Sequence, residues 1–215
     1  MNLDLEKVKA WQRTLSSAGF YHGIIDGDFG PMTEAATVAW KKDQLVADVP
    51  PVAVKPPAGT TVDARSETII ATLHPMVQQP FRDLLNTINA QVAPQFGVTG
   101  RWISGTRNEQ EQNAEVAAGF SHAHWPYSAH NGGGGKEGGF ACDLGWFDSN
   151  GRYVEKESAT ALAVKIDREM GFHPGADFGD SDHHCKRPPS MDTMTETGFI
   201  NEMIRRVKEG IPLWP

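Results

Sequence analysis

Apolar residues return at helical intervals twice near the start of the chain, at Val8, Trp11 and Leu15 and again at Ala35, Val38 and Ala39. Steps of three and four place each set on one side of a helix, so two short amphipathic helices are expected. Between them runs Gly19-Phe20-Tyr21-His22-Gly23-Ile24-Ile25-Asp26-Gly27-Asp28-Phe29-Gly30-Pro31, whose glycines suit tight turns and whose proline suits a helix start. Residues 47–62 are rich in proline and follow no period, which predicts a semi-rigid extended linker. Beyond it, Ile69, Ile70, Leu73, Val77, Phe81, Leu84, Leu85 and Ile88 form a helical stripe interrupted at His74-Pro75. Strands are expected over Val98–Ser104 and Gly139–Phe147, and helices over Asn108–Val116, Ala159–Met170 and Thr195–Lys208. Few strands among several helices predict an α+β fold with a small antiparallel sheet. The expected organisation is a small all-α module over 1–46, the linker over 47–62, and an α+β domain over 63–215.

A chain of 215 residues accommodates such a pair of modules. Its formal net charge of -7 and lack of a basic run argue against nucleic acid as the partner. No apolar run approaches the roughly 18 residues of a membrane span. The opening Met1-Asn2-Leu3-Asp4-Leu5-Glu6-Lys7 lacks the pattern of a secretory signal peptide, so synthesis in the cytoplasm is expected. Two cysteines cannot build a disulfide framework. Cys142 and Cys185 are read as buried structural residues, Cys142 because strand alternation points it away from Asp143.

His130, Asp143 and His183 can supply the three His and carboxylate ligands that a catalytic zinc commonly takes, with the fourth position left for water. Asp180, three residues before His183, is placed to act as a general base without being a ligand. Asp182 and His184 compete for these roles, and spacing alone does not decide between them. The glycines over 132–138 carry no Walker pattern, which excludes a phosphate loop.

Two resemblances extend this reading. The segment Val8–Leu45, with Gly23, Asp26-Gly27, Phe29-Gly30 and Thr33, resembles the type-1 peptidoglycan-binding domain of three small helices. That likeness implies wall attachment, with Asp26, Asp28, Phe20, Tyr21 and Trp40 as candidate contacts to sugar or stem peptide. The alternative for the aspartates is turn and cap chemistry, and for the aromatic residues a place in the core. A calcium loop is discounted because the remaining EF-hand ligand positions are unfilled.

In the second module, Ser104-Gly105-Thr106-Arg107 with Glu109 and Gln112-Asn113, Ser128-Ala129-His130-Asn131, Ala141-Cys142-Asp143-Leu144-Gly145 and Asp180-Ser181-Asp182-His183 resemble, in order, the LAS zinc peptidases. Ile70–Pro75 and Phe147–Tyr153 look most like the branch that cuts L-alanyl-D-glutamate bonds, found in phage endolysins. The likeness implies Zn2+ on His130, Asp143 and His183, Asp180 as base, and Arg107 steadying the substrate carbonyl. It also implies that Gln112 and Ser128 help orient substrate or ligands. Arg187-Pro188-Pro189 sets the register, favouring His183 over His184, which falls where the family has an aromatic residue. The family spaces its first His and Asp more closely, so Gly132–Gly138 is read as a flexible insertion near the cleft mouth. Phe178 stands where the family often has Trp.

The resemblance thus implies a phage-type endolysin, a monomer that binds bacterial peptidoglycan, is made in the host cytoplasm and reaches the wall after holin-type release. Its reaction would be zinc-dependent hydrolysis of the L-Ala–D-Glu bond. The alternatives are a D,D-carboxypeptidase acting on D-Ala-D-Ala and a wall-binding protein whose metal site is structural or degenerate. A muramidase is disfavoured by the lack of a Glu-centred lysozyme-like pattern.

Overall fold

The computed structural model describes residues 5–17, 20–30, 32–33, 36–37 and 62–214. Helix α1 spans Leu5–Ser17 and buries Val8, Trp11, Gln12 and Leu15, the side its apolar spacing predicts. Residues 32–33 and 36–37 are helical as well. The expected linker over 47–61, Trp40 and any third helix lie outside the described residues.

The larger unit is mixed helix and sheet. Helix α2 (Ala64–Ile70) is capped by Asp63, whose carboxylate accepts from the Ser66 amide at 3.1 Å. After a break at His74-Pro75, helix α3 (Pro75–Phe96) runs 22 residues and ends on Gly97, in the left-handed conformation at φ 67°. Pro75 opens the helix where its missing N–H costs nothing. The stripe Val77, Phe81, Leu84, Leu85 and Ile88 is buried against the sheet. Strand β1 (Thr99–Ser104), helix α4 (Glu109–Ala117), strands β2 (Ala141–Phe147) and β3 (Tyr153–Val154), helix α5 (Glu157–Glu169), strands β4 (His173–Pro174) and β5 (His183–Cys185) and helix α6 (Glu196–Glu209) follow. The three short strands β3, β4 and β5 escape the sequence reading because two or three residues cannot display a period.

The sheet is antiparallel in every pairing, with order β1-β2-β5-β4 and β3 also on β2. β2 is its axis. Alternation along β2 sends Cys142, Leu144 and Trp146 into the main core with Trp102, Phe81 and Phe140, and leaves Asp143 on the other face. The register places Asp143 opposite Ser104 on one side and His183 on the other.

The segment Gly132–Gly138 departs from the flexible insertion expected of it. Gly132 and Gly133 are buried in a 3-10 turn over Ala129–Gly134, at φ 51° and 65°. A Cβ on Gly133 would stand 2.6 Å from the Met203 carbonyl carbon of α6, and one on Gly138 would stand 2.5 Å from the His74 amide. The glycines therefore let two backbones approach the loop more closely than any side chain allows. Gly133→Ala should lower folding stability by about 2 to 4 kcal/mol, since a left-handed Ala adds to a backbone clash. Denaturant melts showing a change below about 0.5 kcal/mol would mean that the loop relaxes freely.

Candidate metal centre

Three elements converge on one point. The 3-10 turn after Ser128 supplies His130, the middle of β2 supplies Asp143, and the first residue of β5 supplies His183. His130 Nε2 lies 3.1 Å from Asp143 Oδ1 and 3.1 Å from His183 Nδ1, and His183 Nδ1 lies 3.5 Å from Asp143 Oδ1. Donors bound about 2.0 to 2.1 Å from a tetrahedral ion stand roughly 3.3 to 3.4 Å apart. The three atoms thus outline one face of such a site, and they form a candidate metal-binding group.

Supporting contacts fix the orientation of each member. His130 Nδ1 meets the Gly105 carbonyl at 2.7 Å, which makes that nitrogen the protonated one and leaves Nε2 a lone pair for a cation. Ser128 caps the turn by accepting from the His130 amide at 3.3 Å. Arg107 pairs with Asp143 Oδ2, and its Nε donates to Ser104 Oγ at 2.9 Å. The guanidinium therefore holds the carboxylate of a candidate ligand, and it leaves Asp143 Oδ1 facing both imidazoles.

The electrostatics are those of a site prepared for a cation. Burial alone would raise the Asp143 carboxyl, yet His130 and His183 outweigh it and hold the group well below the usual carboxylate range. Burial likewise works against the His183 imidazolium, and the hydrogen bond it donates to Asp143 overcomes it, raising His183 well above an ordinary histidine.

His183 and His184 follow opposite fates because β5 alternates. His184 points into the core, where its Nδ1 meets Asp167 Oδ2 at 2.7 Å and its ring packs edge-on to Trp102. Both members of that pair are fully buried. Asp180 and Asp182 lie together on the turn ahead of β5. The Asp182 carboxyl stands well above the usual range, first through burial and then through its hydrogen bond with Asp180, with Lys7 opposing. Gly175 closes this turn tightly, since a Cβ there would meet the Asp180 carbonyl oxygen at 2.2 Å and the His183 side chain at 2.6 Å. Phe178, 45% exposed, sets its ring edge-on to His183 at 5.5 Å.

Two of the expected contact residues, Gln112 and Tyr21, are buried. Gln112 is fully buried and donates to Ser121 Oγ and the Ala123 carbonyl, while accepting from Asn131 at 3.2 Å. It braces the His130 turn from behind, which is the ligand-orienting side of the expectation. Tyr21 is 4% exposed, and its hydroxyl donates to the Ile24 carbonyl at 2.8 Å, so it belongs to the core of the first module. Asp26 is exposed, but its Oδ1 accepts from Gln12 Nε2 at 2.8 Å and from the Asp28 amide at 2.9 Å, the turn chemistry set beside the wall-contact reading above. These bonds, Gln12 first, hold its carboxyl below the ordinary value.

Sequence reasoning passed over Gln12, the hub of that loop. Its fully buried amide nitrogen lies within 2.8–3.1 Å of Tyr21, Asp26, Asp28 and Thr33, and its oxygen accepts from the Gly27 amide. A glutamine among the apolar positions of α1 was the available signal.

Residues 4–44 match the family model described as putative peptidoglycan binding domain. The chain carries an N-terminal peptidoglycan-binding domain. No curated protein matches the chain. The wall-binding domain shares a buried apolar cluster with the larger unit, in which Trp11, Leu15, Tyr21 and Ala36 join Val164 of α5 and Ala176. Lys7 Nζ also donates to the Phe120 carbonyl at 2.7 Å. No helix among the described residues is long and apolar enough to cross a membrane.

Proposed function

We propose that the chain is a wall-targeted zinc peptidase of the endolysin type, hydrolysing the L-Ala–D-Glu amide of peptidoglycan stem peptides. The observation that carries this reading is the convergence of His130 Nε2, Asp143 Oδ1 and His183 Nδ1 at 3.1–3.5 Å. The donor set is the His and carboxylate type suited to zinc. The choice of bond follows the likeness of Ile70–Pro75 and Phe147–Tyr153 to the L-alanyl-D-glutamate branch.

Zinc, when bound, supplies Lewis-acid polarisation of a carbonyl and lowers the pKa of water to about 7. The chain's own residues do the rest. Burial, and then the bond to Asp180, push the Asp182 carboxyl up, against the ionised state that a general base needs. Asp180, which stands where the family it resembles carries its base, takes the proton from water and returns it to the leaving amine. Arg107 and the Gly105 carbonyl keep Asp143 and His130 aimed at the cation. The N-terminal domain raises the local concentration of enzyme on an insoluble polymer. Release to the wall by a holin-type lesion completes the reading.

Purified peptidoglycan digested with native, chelator-stripped and zinc-restored protein, and analysed by mass spectrometry with end-group labelling, tests this directly. New N-terminal D-Glu that disappears on chelation and returns with zinc is the expected result. Free D-Ala would move the reaction to a carboxypeptidase. Intact stems in every digest would leave a wall-binding protein.

A further inference from the structure

We infer that the wall-binding domain positions the active-site turn, so that residues of its contact with α5 act on turnover as well as on wall attachment. This rests on the peptidase reading above. The apolar cluster formed by Trp11 and Leu15 of α1 continues into Val164 and Ala176. Val164 is 2% exposed and Ala176 is fully buried. Ala176 sits in the 3-10 turn Gly175–Phe178, and that turn delivers Asp180 and His183.

The turn has little freedom of its own. The Asp180 amide donates to the Gly175 carbonyl at 2.9 Å, and the His183 amide donates to the Asp180 carbonyl at 3.2 Å. The backbone of Asp180 crosses Gly175 too closely for any Cβ. A displacement at Ala176 is therefore passed along a stiff loop to the carboxylate four residues later. A packed apolar contact transmits such displacement because its interior is dense and nearly incompressible. Lys7 of α1 also donates to the Phe120 carbonyl at 2.7 Å. A module hung on a flexible tether would have none of these buried contacts.

The test uses the full chain and a soluble stem tetrapeptide, a substrate too small for wall anchoring to assist. Val164→Asp places a charge in the shared cluster, and Val164→Leu keeps it apolar. Two readouts are taken, steady-state kinetics and amide hydrogen exchange resolved over residues 5–17, 75–96 and 175–183. The expected result for Val164→Asp is a kcat lower by roughly ten- to a hundredfold with KM within about twofold, since small misplacements of a catalytic group are costly. Exchange should quicken in 5–17 and 175–183 together and stay slow in 75–96, with Val164→Leu close to native in both readouts. Faster exchange confined to 5–17 with kcat unchanged would overturn the inference. If Val164→Asp loosens 75–96 as well, Val164→Ala is read by the same criteria. A native protein that leaves the peptide intact while exchange in the two segments remains linked would defeat the peptidase reading and sustain the coupling.

Discussion

His183→Ala removes one of three protein donors from the proposed metal centre, and zinc affinity should fall by roughly a hundred- to a thousandfold. The magnitude comes from spreading the about 10 to 16 kcal/mol of a four-ligand zinc site over its ligands. Peptidoglycan hydrolysis should fall to background with it. His184→Ala provides the contrast. His184 lies on the opposite face of β5 against Asp167, so its loss leaves three donors in place and acts on folding instead, by exposing a buried carboxylate without its partner. Competition with a chromophoric chelator measures both. Unchanged affinity in His183→Ala, or a greater loss in His184→Ala, would show that the sheet register assigns the imidazoles wrongly.

Asp180→Asn should behave in the reverse manner, retaining zinc and losing turnover. Removal of a general base costs about 10² to 10⁴ in rate, and the isosteric amide preserves the turn from Gly175 to His183. Metal affinity should stay within a few-fold of native, because Asp180 is outside the donor triangle. Asp182→Asn should be milder, since burial already works against the charge of the carboxyl it replaces. Kinetics on the soluble tetrapeptide, with zinc content measured in parallel, separate the two residues. An active Asp180→Asn beside an inactive Asp182→Asn would exchange their roles.

Much of this arrangement was legible before any coordinates. Long helices announce themselves through apolar steps of three and four, and α1, α3, α5 and α6 lie close to where those steps predict them. The grouping of His130, Asp143 and His183 is legible because His and Asp are chemically distinctive and because the motifs around them come in a recognisable order. What remained hidden depends on backbone and on burial. The carbonyl of Gly105 that fixes His130 has no side chain to advertise it. Gln112 and Tyr21 bear groups that suit a binding surface, and only the tertiary packing shows that both are inside. The glycines of 132–138 resemble a slack insertion in sequence because the same residue serves flexible loops and closely packed backbones alike. Arg107 was identified as functional, but its partner is set by the pairing of β1 with β2, which local sequence does not encode.

The adjacent histidines of β5 carry a hazard of their own. A strand slipped by one residue exchanges its two faces, and here a slip that brings His184 opposite Asp143 would still offer an imidazole there while setting Cys185 in the place from which His184 meets Asp167. The misthreaded sheet would look chemically plausible at Asp143 and leave Asp167 without its imidazole. What distinguishes the correct threading is the size and polarity of the flanking residues, with Cys185 buried at the end of the strand and Arg187 beyond it paired to Glu196 and laid over the Phe199 ring. Those anchors make the choice between two nearly interchangeable alignments, and weakening them should yield a fraction of molecules that fold, bury their apolar residues and hold the wrong histidine at the centre.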